Sequence, residues 1–148
     1  MIPAIEVARY FLSLTDEDAG ELISNLKLQK LLYYAQGFHL AIFGGPLFPE
    51  SIEAWQHGPV VPEVYRYFHG QGSAHIEPEA CSLDCFSEEK IEFLDDIYCS
   101  FGQYAAWKLR EMTHEEPPWK NAYDEDMPGA EISHAALLDH FVNFVEEE

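Results

Sequence analysis

Along most of the chain, apolar positions recur at helical spacing, and the breaks between these stretches carry proline, glycine or acidic residues. Residues 3–14 place Ile5, Ala8, Phe11 and Leu12 on one stripe, with Pro3 suited to a first helical turn where its missing N–H costs nothing. A polar loop is expected at 15–22, with Asn25 as the cap of the next helix. That helix, 26–43, has the strongest pattern in the chain. Leu28, Leu31, Leu32, Ala35, Phe38 and Ile42 follow the i, i+3, i+4, i+7 spacing in a stripe wide enough to be buried on more than one side. Gly37 inside it costs about 1 kcal/mol against alanine, which predicts a neighbour approaching closely there. Gly44-Gly45-Pro46 ends the helix.

Residues 46–55 read as two very short extended pieces around Pro49-Glu50-Ser51. Pro62 then opens a helix with Val64, Tyr65 and Phe68 on its apolar side, closed by Gly70 and Gly72. Residues 73–86 read as an irregular surface excursion. Ser87 caps a helix in which Ile91, Leu94, Ile97, Tyr98 and Phe101 repeat at helical spacing, with acids in the first turn where the helix dipole favours them. A further helix spans 105–114, Pro117-Pro118 forces an end soon after it, and 119–123 has room for one turn. The last helix, 132–145, is capped by Ser133. The sum is a mainly α, compact single domain over 1–148: a bundle of about six helices with a minor short β element around residues 46–55.

Composition narrows the class. A chain of 148 residues, 47% hydrophobic and 14% aromatic, fills a core without metals or disulfides. It has no apolar run of about 18 residues, so no membrane helix is expected. Glu6 and Arg9 interrupt the N-terminal apolar pattern, which makes it a helix and not a secretion signal. Cys81, Cys85 and Cys99 are odd in number and lack zinc-like spacing, so a reducing cytoplasm is the simplest setting. The net charge is −19, and it is uneven: residues 1–76 hold 8 acids and 4 bases, residues 77–148 hold 19 acids and 4 bases. Such a chain repels nucleic-acid phosphates and attracts basic partners. The same acidity also serves plain solubility.

Two stretches carry the candidate chemistry: EAWQHGPVVPEVY at 53–65 and THEEPPW at 113–119. As fold corners they make physical sense. Gly58-Pro59 sets an unusual turn and its exit; Trp55 would anchor it with its indole N–H on a backbone carbonyl, and His57 would hold it through a ring nitrogen. Thr113 and His114 would tie off carbonyls at a helix end, with Trp119 plugging the edge of the core. Rims rich in Trp, Tyr and Pro are also what protein interfaces favour. Enzyme chemistry finds little purchase. The cysteines sit near acids that blunt a thiol, there is no phosphate-binding glycine loop, and no carboxylate pair stands out. Among the histidines, His57, His69 and His75 lack ligand spacing, while His134 and His140 face different sides of one helix. No catalytic residue, metal or cofactor is assigned.

The sequence resembles the SocA-like family, the Panacea domain, which includes phage-associated proteins of the GepA type. The resemblance rests on KLQKLLYYAQGFHLA at 27–41, PLF at 46–48, EAWQHGPVVPEVY at 53–65, Ile76-Glu77, LREMTHEEPPW at 109–119, and Ile132-Ser133. The matches come in the family's order and span nearly the whole chain. The resemblance implies an antitoxin-like role in a phage, prophage or mobile-element toxin–antitoxin system. Such proteins neutralise a cognate toxin by protein contact, and one founding member delivers its toxin to a bacterial protease as an adaptor. Neither role requires catalysis. The family's additional DNA-binding module is not expected, because the chain starts at the domain's first helix and stops after its last. Trp55, His57, Gly58, Pro59, Val60, Tyr65, Thr113, His114, Pro118 and Trp119 are carried as motif or partner-binding residues. A strongly acidic helical body suits the capture of a basic toxin, with no direct contact to nucleic acid or membrane. Competing readings are an acidic DNA mimic, a phage structural accessory, or a small-molecule enzyme using His57 and His114 in one cleft.

Overall fold

The computed structural model describes residues 1–15, 23–69, 76, 78 and 80–145. Among them are seven α-helices and one three-stranded sheet. Of the loop expected at 15–22 only Thr15 is described, and Gly70, Gly72, His75 and Glu77 also lie outside the described residues. No described helix is long and apolar enough to cross a membrane.

α1 (Ala4–Ser13) buries Val7, Ala8, Phe11 and Leu12, the expected stripe with Val7 in place of Ile5. Pro3 stands just outside the first turn, and the free Ala4 N–H donates to Glu50 Oε1 at 3.0 Å. α2 (Asn25–Phe43) is the axis of the molecule. Thirteen of its nineteen residues are buried, so it packs on all sides and has no solvent face over most of its length. It touches α1, β2 (Gly58–Val60), α3 (Pro62–Phe68), α4 (Glu88–Phe101), α5 (Ala106–His114) and α7 (His134–Val145). The helix emerges only over its last turn, which leaves Ile42 exposed where the stripe expected burial. Gly44 at φ 82° ends it as a left-handed cap. Gly37 does what its position predicted: a Cβ there would lie 2.2 Å from the Phe141 ring of α7.

The cap of α2 is Ser24, not Asn25. Ser24 Oγ accepts from Lys27 N at 3.2 Å, while Asn25, one residue inside the helix, is drawn into a buried network. Ser87 caps α4 as expected, accepting from Lys90 N at 3.2 Å. On α4 the fully buried residues are Phe93, Leu94 and Ile97, with Ile91, Tyr98 and Phe101 half-buried. In the expected surface excursion, Ile76 and Phe86 are nonetheless buried, and Leu83–Cys85 forms a 3₁₀ turn.

The short β element is real but placed later and built from three strands. Residues 46–51 are irregular, and β1 (Ile52–Trp55) pairs antiparallel with β2 on one side and β3 (Ala130–Ile132) on the other. Ile132 therefore belongs to a strand, and Ser133 Oγ caps α7 by accepting from Ala136 N at 3.1 Å. One helix more than the six expected, α6 (Pro117–Ala122), begins on the prolines that were expected to end a helix. Both properties follow from one feature: a ring lacking an N–H cannot continue a helix but fits its first turn.

Candidate functional site

The site is a corner where the two Trp-containing motifs meet. In the first, β1 and β2 form a hairpin with Trp55 opposite Gly58 and only Gln56-His57 between them. Gly58 stands at φ 117°, and a Cβ there would meet Lys30 Cε at 2.6 Å and Thr113 Oγ1 at 3.0 Å. Glycine is thus required twice, by its dihedral and by close approach. Gly58, Pro59 and Val60 are all buried.

Polar side chains of α2 hold this segment from below. Lys30 Nζ donates to Pro59 O at 3.1 Å, and Gln29 Oε1 accepts from Val61 N at 2.9 Å. Gln29 Nε2 donates to Asn25 Oδ1 at 2.8 Å, and Asn25 Nδ2 donates to Tyr65 O at 3.0 Å. These groups satisfy backbone of β2, of the residue entering α3 and of α3 itself. Gln36 does the same upstream, accepting from Leu47 N at 2.7 Å and donating to Phe48 O at 2.9 Å.

The second motif closes over the first. Thr113 is buried and its hydroxyl donates to Arg110 O at 2.9 Å, one turn back. The His114 ring lies by the Gln56 backbone and stacks on Trp119 at 4.0 Å and 10°. Trp119 stacks in turn on Tyr123, and its indole Nε1 donates to Trp55 O at 2.7 Å. Pro118 is buried beneath. The indole-to-carbonyl bond expected of Trp55 is therefore made to Trp55 and not by it. The Trp55 indole itself donates to Glu53 Oε1 at 2.9 Å, and its ring meets Tyr65 edge-on at 5.2 Å. His57 is exposed, and its ring makes no hydrogen bond among the described residues.

All ten motif residues thus come together in one corner, in two roles. Gly58, Pro59, Val60, Thr113 and Pro118 are buried, while Trp55, His57, Tyr65, His114 and Trp119 keep part of their surface in solvent. His57 and His114 do not share a cleft. His57, with Tyr65, His69, Asn25 and Ala106, lines one of about 520 Å³. His114 lines another of about 590 Å³ with Lys108, Glu111 and Glu116. Among the described residues no three His, Cys, Asp or Glu side chains converge on a metal position.

Electrostatics single out groups that the pattern of residues did not. Lys30 is 1% exposed; burial, and then the Arg110 charge, bring its amine down to about 7. Burial also lowers His114, with Arg110, Lys30 and His57 adding to it and the nearby Gln56 backbone opposing. Glu116 accepts from Tyr33 Oη at 2.9 Å and Tyr34 Oη at 3.0 Å; burial raises its carboxyl, against the pull of those two bonds. Both tyrosines are raised, by burial first and the Glu116 charge next. In the sequence Lys30 and Glu116 look like solvated charges. The one signal for Lys30 was its place within an apolar run too broad for a one-sided helix.

Comparison with known proteins gives a concordant pattern. The family model described as "Antitoxin SocA-like, Panacea domain" matches residues 28–120, which include both motifs. Antitoxin SocA of Caulobacter vibrioides is 37% identical over 109 residues, covering 66% of this chain. The chain spans 58% of the length of that curated relative. No solved structure matches.

Proposed function

The chain belongs to the SocA-like, Panacea domain family, and from that premise we propose that it is an antitoxin-like protein: it binds a cognate protein toxin and neutralises it by direct contact, without turnover. The corner formed by the two motifs is the docking face. The observation that carries this reading is the division of labour within that corner. A buried half fixes the backbone, and the half-exposed aromatic group Trp55, Tyr65 and Trp119, with exposed His57 between, is held rigid in front of it. Rigid aromatic edges lose little entropy on binding and supply the anchors that protein interfaces use.

The net charge of −19 adds long-range attraction for a basic partner. Delivery of the captured toxin to a protease is compatible with the same face, since an adaptor must also grip its cargo. In either case binding replaces catalysis as the physical work.

Affinity capture with the tagged chain from its own host, followed by expression of each captured small protein with and without the chain, tests the reading. The expected result is a basic protein that arrests growth alone and is tolerated in the presence of the chain. Relief that persists unchanged when Trp55 and His57 are both replaced by alanine would move the docking face elsewhere. Absence of any growth-arresting protein among those captured would overturn the antitoxin role.

A further inference from the structure

Lys30 occupies a position that general stability does not explain. It is among the largest fully buried side chains, at 1% exposure, yet among the described residues its Nζ has one hydrogen-bond partner, Pro59 O at 3.1 Å. An ammonium group carries three donors, and burying it with a single neutral acceptor is costly. A methionine or leucine would fill the same volume without that cost. The amine also lies against the point of tightest packing at the docking corner, because a Cβ on Gly58 would be 2.6 Å from Lys30 Cε and 3.1 Å from Nζ. The groups acting on this cluster are an arginine and histidines. Arg110 of α5 acts on Lys30, and Arg110, Lys30 and His57 of the hairpin turn act on His114. Carboxylates come near only on the far side of His114, where Glu111, Glu115 and Glu116 line its cleft.

We propose that Lys30 is the positioning residue of the docking corner and a proton-sensitive latch on it: as a neutral amine it holds the Gly58–Pro59 strand against α2, and as an ammonium it loosens that strand. The neutral amine needs only the one bond it has. Protonation adds a buried charge facing the Arg110 guanidinium, and the nearest relief is water entering as the hairpin lifts. Buried lysines lose their proton far more readily than exposed ones, which places the transition within the range of cellular pH.

The sign follows from linkage. The folded chain gives up the Lys30 proton at about 7, whereas the unfolded chain keeps it to the ordinary value of 10.5. Between those limits the unfolded state binds the extra proton, so folding stability rises with pH across the window. The burden of the buried charge is fully present below about 7 and is gone above 10.5.

The test uses the free protein and so stands or falls apart from the antitoxin reading. NMR of the whole chain follows two signals between pH 6 and pH 8: the Lys30 Cε shift, and the hydrogen-exchange protection of Val60 and Val61. The Lys30 signal is expected to titrate within this range, and protection to fall several-fold toward the acid end, up to the limit of about tenfold that one linked proton allows. Lys30→Met, which keeps reach and removes the charge, is expected to hold protection constant. An ordinary Lys30 titration above pH 10 overturns the proposal on the wild-type chain alone, even if the variant fails to fold. An equal loss of protection in Lys30→Met also overturns it, by assigning the effect to His114 or His57.

Discussion

Gly58 concentrates more constraints than any other residue of the corner. Its φ of 117° lies where a side chain is strained, and the space a Cβ would take is held by Lys30 and Thr113. Gly58→Ala is therefore expected to destabilise the fold by about 2–4 kcal/mol, combining backbone strain with overpacking. Denaturant unfolding measures it, and a loss under about 0.5 kcal/mol would mean that the hairpin relaxes at no cost. The need for glycine was readable from the sequence, since a tight turn leading into proline favours the one residue free to take a positive φ. Its neighbours were not, because Lys30 lies 28 positions away and lysine is by default a solvated residue. Trp55 shows the same limit. That an indole would pair with a carbonyl here was legible, but which of the two tryptophans donates depends on how α6 is set against the hairpin.

Among elements, α2 decides most. Its apolar pattern predicted a helix with nearly the observed bounds, since periodicity reports local structure directly. Its polar residues carry the less visible function of satisfying irregular backbone. Gln36 serves Leu47 N, Phe48 N and Phe48 O at once. Gln36→Leu leaves three buried backbone groups without partners and is expected to cost about 3 kcal/mol or more. The same change at exposed Gln103 is expected to stay within about 0.5 kcal/mol, and thermal unfolding of the pair separates the two. The strands show the opposite case. A four-residue strand and two three-residue strands are too short for alternation to announce them, and β3 joins β1 across more than seventy residues. Such pairing is fixed by tertiary packing and leaves little local trace.

For the whole molecule, charge is the governing property. With 27 acids and 8 bases, association with a basic partner should be fast at low salt and slow markedly between about 50 and 300 mM, where screening shortens to under about 10 Å. Reversing Asp124, Glu125 and Asp126, all exposed, to lysine should lower the association rate several-fold at the low end and less at the high end. Stopped-flow measurement with the captured partner checks both, and a rate indifferent to salt would rule out steering. Net charge, helical class, central helix and motif positions were set by the amino-acid sequence alone, because composition and periodicity are properties of residues and their near neighbours. The union of two motifs some sixty residues apart, the burial of Lys30, the pairing of half-buried Glu116 with two tyrosines, and the split between hidden and presented motif residues were decided only by tertiary structure. The physical reason is that burial and hydrogen-bond partnership are relations between distant segments, and a charged side chain keeps the same letter whether it faces water or the core.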